Sequence, residues 1–347
     1  MGLAKALARQ GYQIVIVRSG DHDEVIMHDF GPSAKVEERV VLTPRIRMHG
    51  LIGGRALNGI GIDGIISFQD SQLSVPSFFR WAVKEKVGFW PYVGSFSPTT
   101  NAFSRMVLSS NVKVYRKSYC IAKTPTMQEE LRKVGVDNVG VLPVGLDLDL
   151  LAPKQEADRE AARLELGIPE DAQVVGFVGR LEHYKRPLTA LEVFAELRKR
   201  LPDVRFLVVG SGALEPEFEA KCEALGLNDR LCRIPKLLQK DMWKFYSACD
   251  ILANFNLSEI YGMSLLESFY YGVPVVANRG PGPDFVIEHG VDGYLIDGLD
   301  EQFVEILEQY LTGKLPLAVP KDKVESNFTW DACLQRSGFP WPALNVA

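Results

Sequence analysis

The stretch AQVVGFVGRLEHYKRPLTALEVFAELRKR, residues 172–200, contains one complete strand–loop–helix unit. Its first part is a short, nearly all apolar run, which is typical of a strand that is buried on both faces. Its second part repeats apolar residues at helical spacing, with Pro187 near the first turn and three basic residues in the last. A strand that leads through a short loop into a helix indicates a parallel α/β fold.

The same alternation of strand and helix patterns recurs along both halves of the chain. Downstream, VRFLVVGSG, DILANF and VPVVA are typical of strands, and EPEFEAKCEALG and GMSLLESFYYG of helices. In the first half, helices are predicted at Val75–Val83 and Met127–Val134, and strands at Gln13–Val17, Val40–Leu42, Gly64–Phe68, Pro91–Gly94, Tyr119–Ala122 and Val139–Leu142. We therefore predict an α/β fold with two Rossmann-like, doubly wound domains.

A chain of 347 residues fits two domains rather than one core. The stretch VLPVGLDLDLLAPKQEADRE, residues 141–160, is a turn followed by a polar segment, which predicts an interdomain hinge. We predict an N-terminal domain over 1–148, a C-terminal domain over 149–326, and a final segment, 327–347, that crosses back toward the first domain. Two such domains would face a ligand cleft at the carboxyl ends of their strands.

The composition, 46% hydrophobic and 24% charged, is that of an ordinary globular protein. No apolar run approaches the roughly 18 residues that span a bilayer, and the N-terminus does not have the pattern of a secretory signal. The five cysteines are odd in number, scattered, and never spaced as C-x-x-C. We therefore expect a reducing, cytoplasmic compartment, with neither a disulfide framework nor a zinc site.

The net charge of the chain is −5, but it is unevenly distributed. Residues 1–150 hold 18 Lys+Arg and 14 Asp+Glu, a net charge of +4. The basic half suggests an anionic partner, although scattered solvated charges are an alternative. Residues 43–59, TPRIRMHGLIGGRALNG, mix arginines such as Arg55 with apolar residues such as Ile52 and Leu57. This mixture suggests peripheral contact with the inner face of a membrane, whereas its glycines favour an ordinary half-buried segment.

A first candidate site lies in VGRLEHYKRP, residues 178–187, where a strand delivers Arg180 and Lys185 into the loop before a helix. Two cations beside the positive end of a helix suit a diphosphate, because three sources of positive charge converge on one anion. Arginine can bind phosphate oxygens in a bidentate manner, and lysine adds a mobile point charge. The alternative is a pair of solvated loop cations.

A second candidate site lies in SEIYGMSLLESFYYGVPVVAN, residues 258–278. Glu259 follows a strand in a loop, and Gly262 permits a tight entry into the next helix. Glu267 lies near the start of that helix, where its carboxylate could accept hydrogen bonds from two vicinal hydroxyls such as those of a ribose. The alternative is a capping box, in which Glu267 reaches back to the amide of Ser264.

Other motifs carry less weight. Gly210 and Gly212 follow a strand but lack the third glycine and the later acidic residue of a dinucleotide fingerprint. The Asp-x-Asp triplets that begin at Asp21 and Asp147 have the form of a metal site, but such triplets are common by chance. Motifs of metalloproteases, P-loop NTPases and Ser hydrolases are absent. We predict no metal site and no nucleic-acid partner.

Taken in order, these motifs resemble those of the GT-B glycosyltransferases of family 4. GRLEHYKRP resembles the G-R-L…K loop of that family, and SEIYGMSLLESFYYGVPVVAN its E-x7-E motif. HGVDGYLID and NFTWDACLQ continue the resemblance, while LAKALARQGYQIVIV resembles the first helix and second strand of the family and VGVLPVGLDLDLLAP its linker. The resemblance extends over nearly the whole chain and is most specific in the second half.

The resemblance implies retaining transfer of a sugar from a nucleotide-sugar donor, without a catalytic metal or a cofactor. Arg180 and Lys185 would neutralise the departing diphosphate, Glu267 would hold the ribose hydroxyls, and Glu259 would contact the donor sugar near the reacting carbon. Gly262, Met263 and Gly282 would complete the donor site, so the C-terminal domain would bind the nucleotide sugar and the N-terminal domain would hold the acceptor. The acceptor would be a glycan, a glycolipid or a lipid-linked sugar. The enzyme would act in the cytoplasm or at the inner face of the membrane, in the synthesis of the cell envelope or of glycoconjugates.

The sequence also departs from the family pattern. The chain starts inside the first helix, and the strand that usually precedes it is central in a Rossmann-like sheet, so strands that normally pair would be separated. WPYVGSFSP offers Ser95 and Ser97 where the family often has a histidine. Two alternatives therefore stay open: a non-catalytic sugar-nucleotide-binding relative or partner subunit, and a sugar-nucleotide epimerase.

Overall fold

The computed structural model describes residues 1–31, 34–43, 45–46, 49–50, 52–68, 73–95, 102–154, 158–320 and 322–339. The chain divides into two compact units, one comprising Met1–Gly145 with Trp330–Ala347 and the other Leu146–Thr329. Both units are Rossmann-like, with parallel strands joined by helices, so the predicted fold class is confirmed.

The first unit has its main strands in two sheets. One has the order β1-β3-β2, and the other β6-β7-β8-β9 with all strands parallel. Among the described residues the two sheets share no strand pairing. The strands are β1 Ile14–Gly20, β2 Glu24–Asp29, β3 Lys35–Leu42, β4 Arg45–Ile46, β5 His49–Gly50, β6 Gly64–Ser67, β7 Gly88–Val93, β8 Cys120–Ala122 and β9 Val139–Val141.

The strand β2 was not predicted. It pairs with β3 in the antiparallel direction, whereas β1 pairs with β3 in parallel. Neither face of β2 is fully buried: Val25 and Met27 are exposed on one face, and Ile26 and His28 are only half-buried on the other. A strand without a buried face has no apolar alternation, so the sequence pattern could not indicate it.

Helices of the first unit cover the four-stranded sheet and the β1 strand. They are α1 Gly2–Arg9, α2 Val75–Glu85, α3 Ala102–Tyr115 and α4 Pro125–Lys133. The helix α4 begins after Thr124, whose hydroxyl accepts a hydrogen bond from the Met127 amide at 3.2 Å, with Pro125 in the first turn. Helix α3 was not predicted, because no regular apolar stripe marks it in the sequence.

The second unit is one six-stranded parallel sheet of order β12-β11-β10-β13-β14-β15. Its strands are β10 Val174–Val178, β11 Arg205–Val209, β12 Leu231–Ile234, β13 Ile251–Asn254, β14 Val275–Asn278 and β15 Gly293–Ile296. Its helices are α5 Arg159–Glu165, α6 Pro187–Arg200, α7 Glu215–Ala224, α8 Met242–Ala248, α9 Met263–Tyr270, α10 Pro283–Val286, α11 Asp300–Leu311 and α12 Lys323–Asn327. The strand order reverses between β10 and β13.

Aromatic pairs join the helices of the second unit to its sheet. Phe194 of α6 stacks on Phe206 of β11, with ring centroids 4.3 Å apart. Phe303 of α11 stacks on Phe255, directly after β13, at 4.2 Å. All four rings are at most 1% exposed, so these contacts fix the helices over the strand ends.

The last described helix, α13 Trp330–Ser337, belongs to the first unit. Its residue Leu334 lies in one apolar cluster with Leu3 and Leu7 of α1. Trp330 lies so close to Gly2 and Gly145 that a Cβ atom at either glycine would overlap it. The chain thus returns to the first unit after completing the second.

Candidate functional site

The strand reversal of the second unit defines one place on its sheet. In a doubly wound sheet, ligands bind in the crevice outside the carboxyl ends of the strands where the order reverses. Here that place lies between the segments that follow β10 and β13, residues 179–186 and 255–262. These are the segments that carry the predicted residues Arg180, Lys185, Glu259 and Gly262.

The structure joins the two segments through an ion pair. The Lys185 ammonium lies 2.6 Å from the Glu259 carboxylate, and their side chains are only 18% and 13% exposed. Lys185 ends a short 3-10 helix, His183–Lys185, and Glu259 lies five residues after the end of β13. A lysine and a glutamate 74 residues apart in sequence are therefore held together at the reversal point.

Arg180 joins this group through Tyr184. The Arg180 guanidinium donates a hydrogen bond to the Tyr184 hydroxyl at 3.0 Å and lies 5.4 Å from the centre of its ring. The Lys185 ammonium lies 5.6 Å from the same ring. Both cations thus lie close to one aromatic ring, and positive charge gathered in one place attracts an anion.

Two predicted glycines fit closely around Glu259. Gly262 has a φ of +86°, and a Cβ atom there would lie 2.6 Å from Leu265 Cδ1 and 3.3 Å from Glu259 Cγ. The Gly282 amide donates to the Glu259 carbonyl at 3.1 Å, and a Cβ atom at Gly282 would overlap the backbone of Tyr261. Both positions require glycine, because one is left-handed and the other has no room for a side chain.

Glu267 makes two side-chain contacts that the sequence did not indicate. Its carboxylate accepts hydrogen bonds from Gln239 Nε2 at 2.8 Å and from the Tyr246 hydroxyl at 2.7 Å. Burial raises the pKa of Glu267 above its ordinary value, against the effect of these two hydrogen bonds. The Tyr246 ring is fully buried and stacks on Tyr271, so the contact is rigid.

The capping-box interpretation of Glu267 is wrong. Helix α9 begins at Met263 after the left-handed Gly262, which has no side chain to cap it, so Ser264 lies inside the helix rather than at its N-cap. The carboxylate of Glu267 is bonded to Gln239 and Tyr246 instead of reaching back to the Ser264 amide. The predicted residue Met263 is the first residue of this helix and is half-buried.

Four residues of the site were missed by the sequence analysis: Tyr184, Gln239, Tyr246 and Asn256. Asn256 Nδ2 lies 3.1 Å from Glu259 Oε2. Tyr184 could have been noticed, because it lies between Arg180 and Lys185 in the sequence and an aromatic ring attracts cations. Gln239 and Tyr246 lie on another loop and helix, and no local pattern connects them with Glu267.

The motifs that carried less weight have structural explanations. A Cβ atom at Gly212 would overlap the Leu181 backbone, so the loops after β10 and β11 approach closely through this glycine. Asp23 Oδ1 accepts from the Leu42 amide at 2.7 Å, and Asp147 caps a short 3-10 helix. Among the described residues, no group of three or more His, Cys, Asp or Glu side chains is placed to hold a metal ion.

Several predictions for the first unit fall partly outside the described residues. The side chains of residues 44–51 and Ser97 lie outside them, whereas Ser95 is half-buried two residues after the end of β7. Ile52 and Leu57 are at most 4% exposed, so these two residues are not available for the membrane contact suggested above. Within the described part of the chain, no helix is long and apolar enough to span a membrane.

Solved structures share this fold at low sequence identity. Anabaena HepE, in complex with UDP and glucose, matches with a TM-score of 0.69 and 20% identity, over 86% of this chain and 84% of that one. Sucrose-phosphate synthase from Thermosynechococcus elongatus matches with a TM-score of 0.72 and 18% identity, over 96% of this chain and 89% of that one. These neighbours are GT-B glycosyltransferases, and the likeness shows that the chain has the GT-B fold.

Curated relatives match part of the chain at higher identity. The D-inositol 3-phosphate glycosyltransferase of Corynebacterium urealyticum is 32% identical over 204 residues, which are 56% of this chain and 48% of that protein. The enzyme of the same name from Mycolicibacterium smegmatis is 31% identical over 200 residues, 55% and 44% of the two chains. The chain thus spans about half the length of these relatives. Residues 158–323, which include every predicted site residue, match the family model described as Glycosyl transferases group 1.

Proposed function

We propose that the protein is a retaining glycosyltransferase of family 4 that takes a sugar from a nucleotide-sugar donor. The observation that carries this proposal is the meeting of Lys185 and Glu259 at 2.6 Å where the strand order reverses. There the cations of Lys185 and Arg180 can bind a diphosphate, while a carboxylate remains beside them for the sugar. A metal-independent reaction is proposed because these two cations can supply the positive charge that the leaving diphosphate requires.

Each residue has a role that its surroundings support. Lys185 and Arg180 would stabilise the charge that grows on the diphosphate, an electrostatic effect of about 3 kcal/mol for a well-placed donor. Glu267, which lies on α9 beyond Gly262, would accept hydrogen bonds from the ribose. Glu259 would face the sugar ring, where its negative charge favours oxocarbenium character at the reacting carbon.

The donor we propose to test first is a uridine nucleotide. The solved relative from Anabaena binds UDP and glucose, and another structure of the same protein holds UDP-glucose. For the acceptor, the names of the curated relatives add D-inositol 3-phosphate to the glycans, glycolipids and lipid-linked sugars that the resemblance implies. We propose a cytoplasmic enzyme, because all five cysteines are free thiols, which suits a reducing compartment.

The experiment is a calorimetric titration of UDP, UDP-glucose and a panel of other nucleotide sugars, followed by transfer assays with each acceptor class. We expect binding of one nucleotide sugar, anomer retention in the product, and transfer that persists in excess EDTA. The Lys185→Ala and Arg180→Ala variants should each weaken nucleoside diphosphate binding, because each removes a cation that contacts phosphate.

The alternatives give different results in the same assays. Donor binding without hydrolysis or transfer would support a non-catalytic relative, and formation of an epimer without acceptor would support an epimerase. The absence of binding by any nucleotide or nucleotide sugar would contradict all three interpretations.

A further inference from the structure

The two carboxylate oxygens of Glu259 have different surroundings. Oε2 is approached by Lys185 Nζ at 2.6 Å, Asn256 Nδ2 at 3.1 Å and Asn254 Nδ2 at 3.5 Å. Among the described residues, Oε1 has no hydrogen-bond partner. One oxygen is therefore an anchor, and the other is available to a ligand.

Asn256 is itself held rigidly. Its side-chain oxygen accepts from the Ser258 backbone N–H at 2.9 Å, and its own backbone N–H donates to Asn254 Oδ1 at 3.0 Å. The residue is 3% exposed. Its neighbour Phe255 is stacked on Phe303, and the Phe255 carbonyl accepts from Asn278 Nδ2 at 2.8 Å. The amide of Asn256 is thus fixed against Glu259 by contacts on both sides.

Lysine and asparagine hold Glu259 in different ways. Lys185 neutralises the carboxylate, and its long side chain can turn toward a diphosphate when a donor is bound. The short, buried amide of Asn256 cannot follow the ligand. Because the amide carries no charge, it fixes the orientation of Glu259 without cancelling the negative charge that the reaction requires.

We propose that Asn256 is a positioning residue, which keeps Glu259 oriented toward the donor sugar when Lys185 turns to the diphosphate. This inference rests on the proposed function, since it assigns a role within the same site. It predicts that Asn256 affects the sugar part of donor recognition and the rate of transfer, but not binding of the nucleoside diphosphate.

The variant Asn256→Asp separates this role from the structural role of Asn256 in the local turn, where its side-chain oxygen accepts from Ser258. An aspartate has the same shape, and its carboxylate can still accept from the Ser258 amide, but it donates nothing to Glu259 and repels it. Asn256→Ala removes the amide without adding charge and serves if the aspartate variant does not fold. The matched control is Asn228→Asp, an exposed position in the same unit.

Three quantities are measured for each variant: the affinity for UDP, the affinity for UDP-glucose or for the best donor of the panel, and kcat for transfer. We expect Asn256→Ala to keep UDP affinity within about twofold, and both Asn256 variants to lose about tenfold in kcat. We also expect them to lose the extra affinity that the sugar provides, whereas Asn228→Asp should match the wild type in all three quantities.

A double-mutant cycle with Glu259→Ala tests whether Asn256 acts through Glu259. If it does, Asn256→Ala causes no further loss once Glu259 is alanine; an additive loss would overturn the inference. A loss of UDP affinity equal to that of the donor would also overturn it, as would Asn256 variants that behave like the control while Glu259→Ala impairs transfer. If Glu259→Ala itself changes neither donor affinity nor transfer, the proposed role of Glu259 fails and the inference fails with it.

Discussion

Glu267 shows what a residue pattern can and cannot predict. The sequence placed it on the correct helix, although it lies at the middle of α9 rather than near its start, and indicated two roles for the carboxylate, ribose binding or capping. The capping role is excluded by the contacts of its carboxylate with Gln239 and Tyr246, which lie 28 and 21 residues earlier in the chain. Such partners are set by the packing of α8 against the sheet, and no local pattern contains that information.

Replacing Glu267 with alanine should weaken nucleoside diphosphate binding in a manner that depends on the ribose. The wild type should prefer UDP over 2′-deoxy-UDP by about tenfold, because a hydrogen bond to a carboxylate is worth about 1.5–3 kcal/mol. The Glu267→Ala variant should bind both nucleotides with nearly the same affinity. Calorimetry with the two nucleotides measures the preference directly.

The control for this prediction is Glu223→Ala, an exposed glutamate of α7 that should change neither affinity. A Glu267→Ala variant that unfolds more easily but keeps the full preference for UDP would show that Glu267 serves only the fold. In that case its bonds to Tyr246 and Gln239 would be its whole function.

At the level of elements, prediction succeeded where burial imposes a period on the sequence. Strands such as β10 and helices such as α6 pack against the core, so their apolar residues recur at the spacing of a strand or a helix. The motifs that follow such strands placed Arg180, Lys185 and Glu259 on the correct loops. The prediction failed for β2, which has no fully buried face, and for α3. The buried face of α3 includes the polar Asn111, while Phe103 and Met106 are exposed, so its apolar residues do not follow a regular helical period.

Gly262 forms the turn into α9, and Gly262→Ala should lower donor affinity about tenfold. The added methyl group strains the left-handed backbone, at a cost of about 1 kcal/mol, and it also meets Leu265 and the stem of Glu259. Donor affinity and the free energy of unfolding are measured together.

Gly272, at the other end of the same helix, provides a matched control. Its φ is +78°, but a Cβ atom there would meet nothing within 4 Å. Gly272→Ala should therefore destabilise the fold by a similar amount while leaving donor affinity unchanged. Equal losses of affinity in both variants would show that backbone strain, rather than contact with Glu259, is responsible.

A second prediction concerns the short helix α12. Lys323 forms an ion pair with Asp292, which is fully buried, and its ammonium lies 4.3 Å from the centre of the Phe269 ring of α9. Burial lowers the pKa of Lys323, against the effect of Asp292. Lys323→Met should cost about 3–5 kcal/mol of unfolding free energy, because it leaves an uncompensated charge in the interior.

Urea denaturation measures this loss. The double variant Lys323→Met with Asp292→Asn should recover most of it, since the buried charge is then removed as well. Lys314→Met, at an exposed lysine, should stay within about 0.5 kcal/mol of the wild type. If the double variant is no more stable than Lys323→Met, the buried charge is not the cause of the loss.

For the whole molecule, the path of the chain isolates the second unit. The Leu146 amide donates to the Phe328 carbonyl at 2.7 Å, and Leu146 forms a parallel bridge with Thr329. The two ends of the unit are therefore side by side. Residues 146–329 form one uninterrupted segment with its own core, and they contain every residue assigned to the donor site.

We expect residues 146–329, expressed alone, to fold and to bind UDP with an affinity within about fivefold of the full chain, because a domain with its own core can fold independently. This fragment should transfer no sugar, since it lacks the unit to which we assign the acceptor. Calorimetry and a thermal unfolding transition test both statements, with the same fragment carrying Lys185→Ala as the control that should bind weakly. A folded fragment that binds no UDP, beside a full chain that does, would show that the first unit supplies part of the donor site.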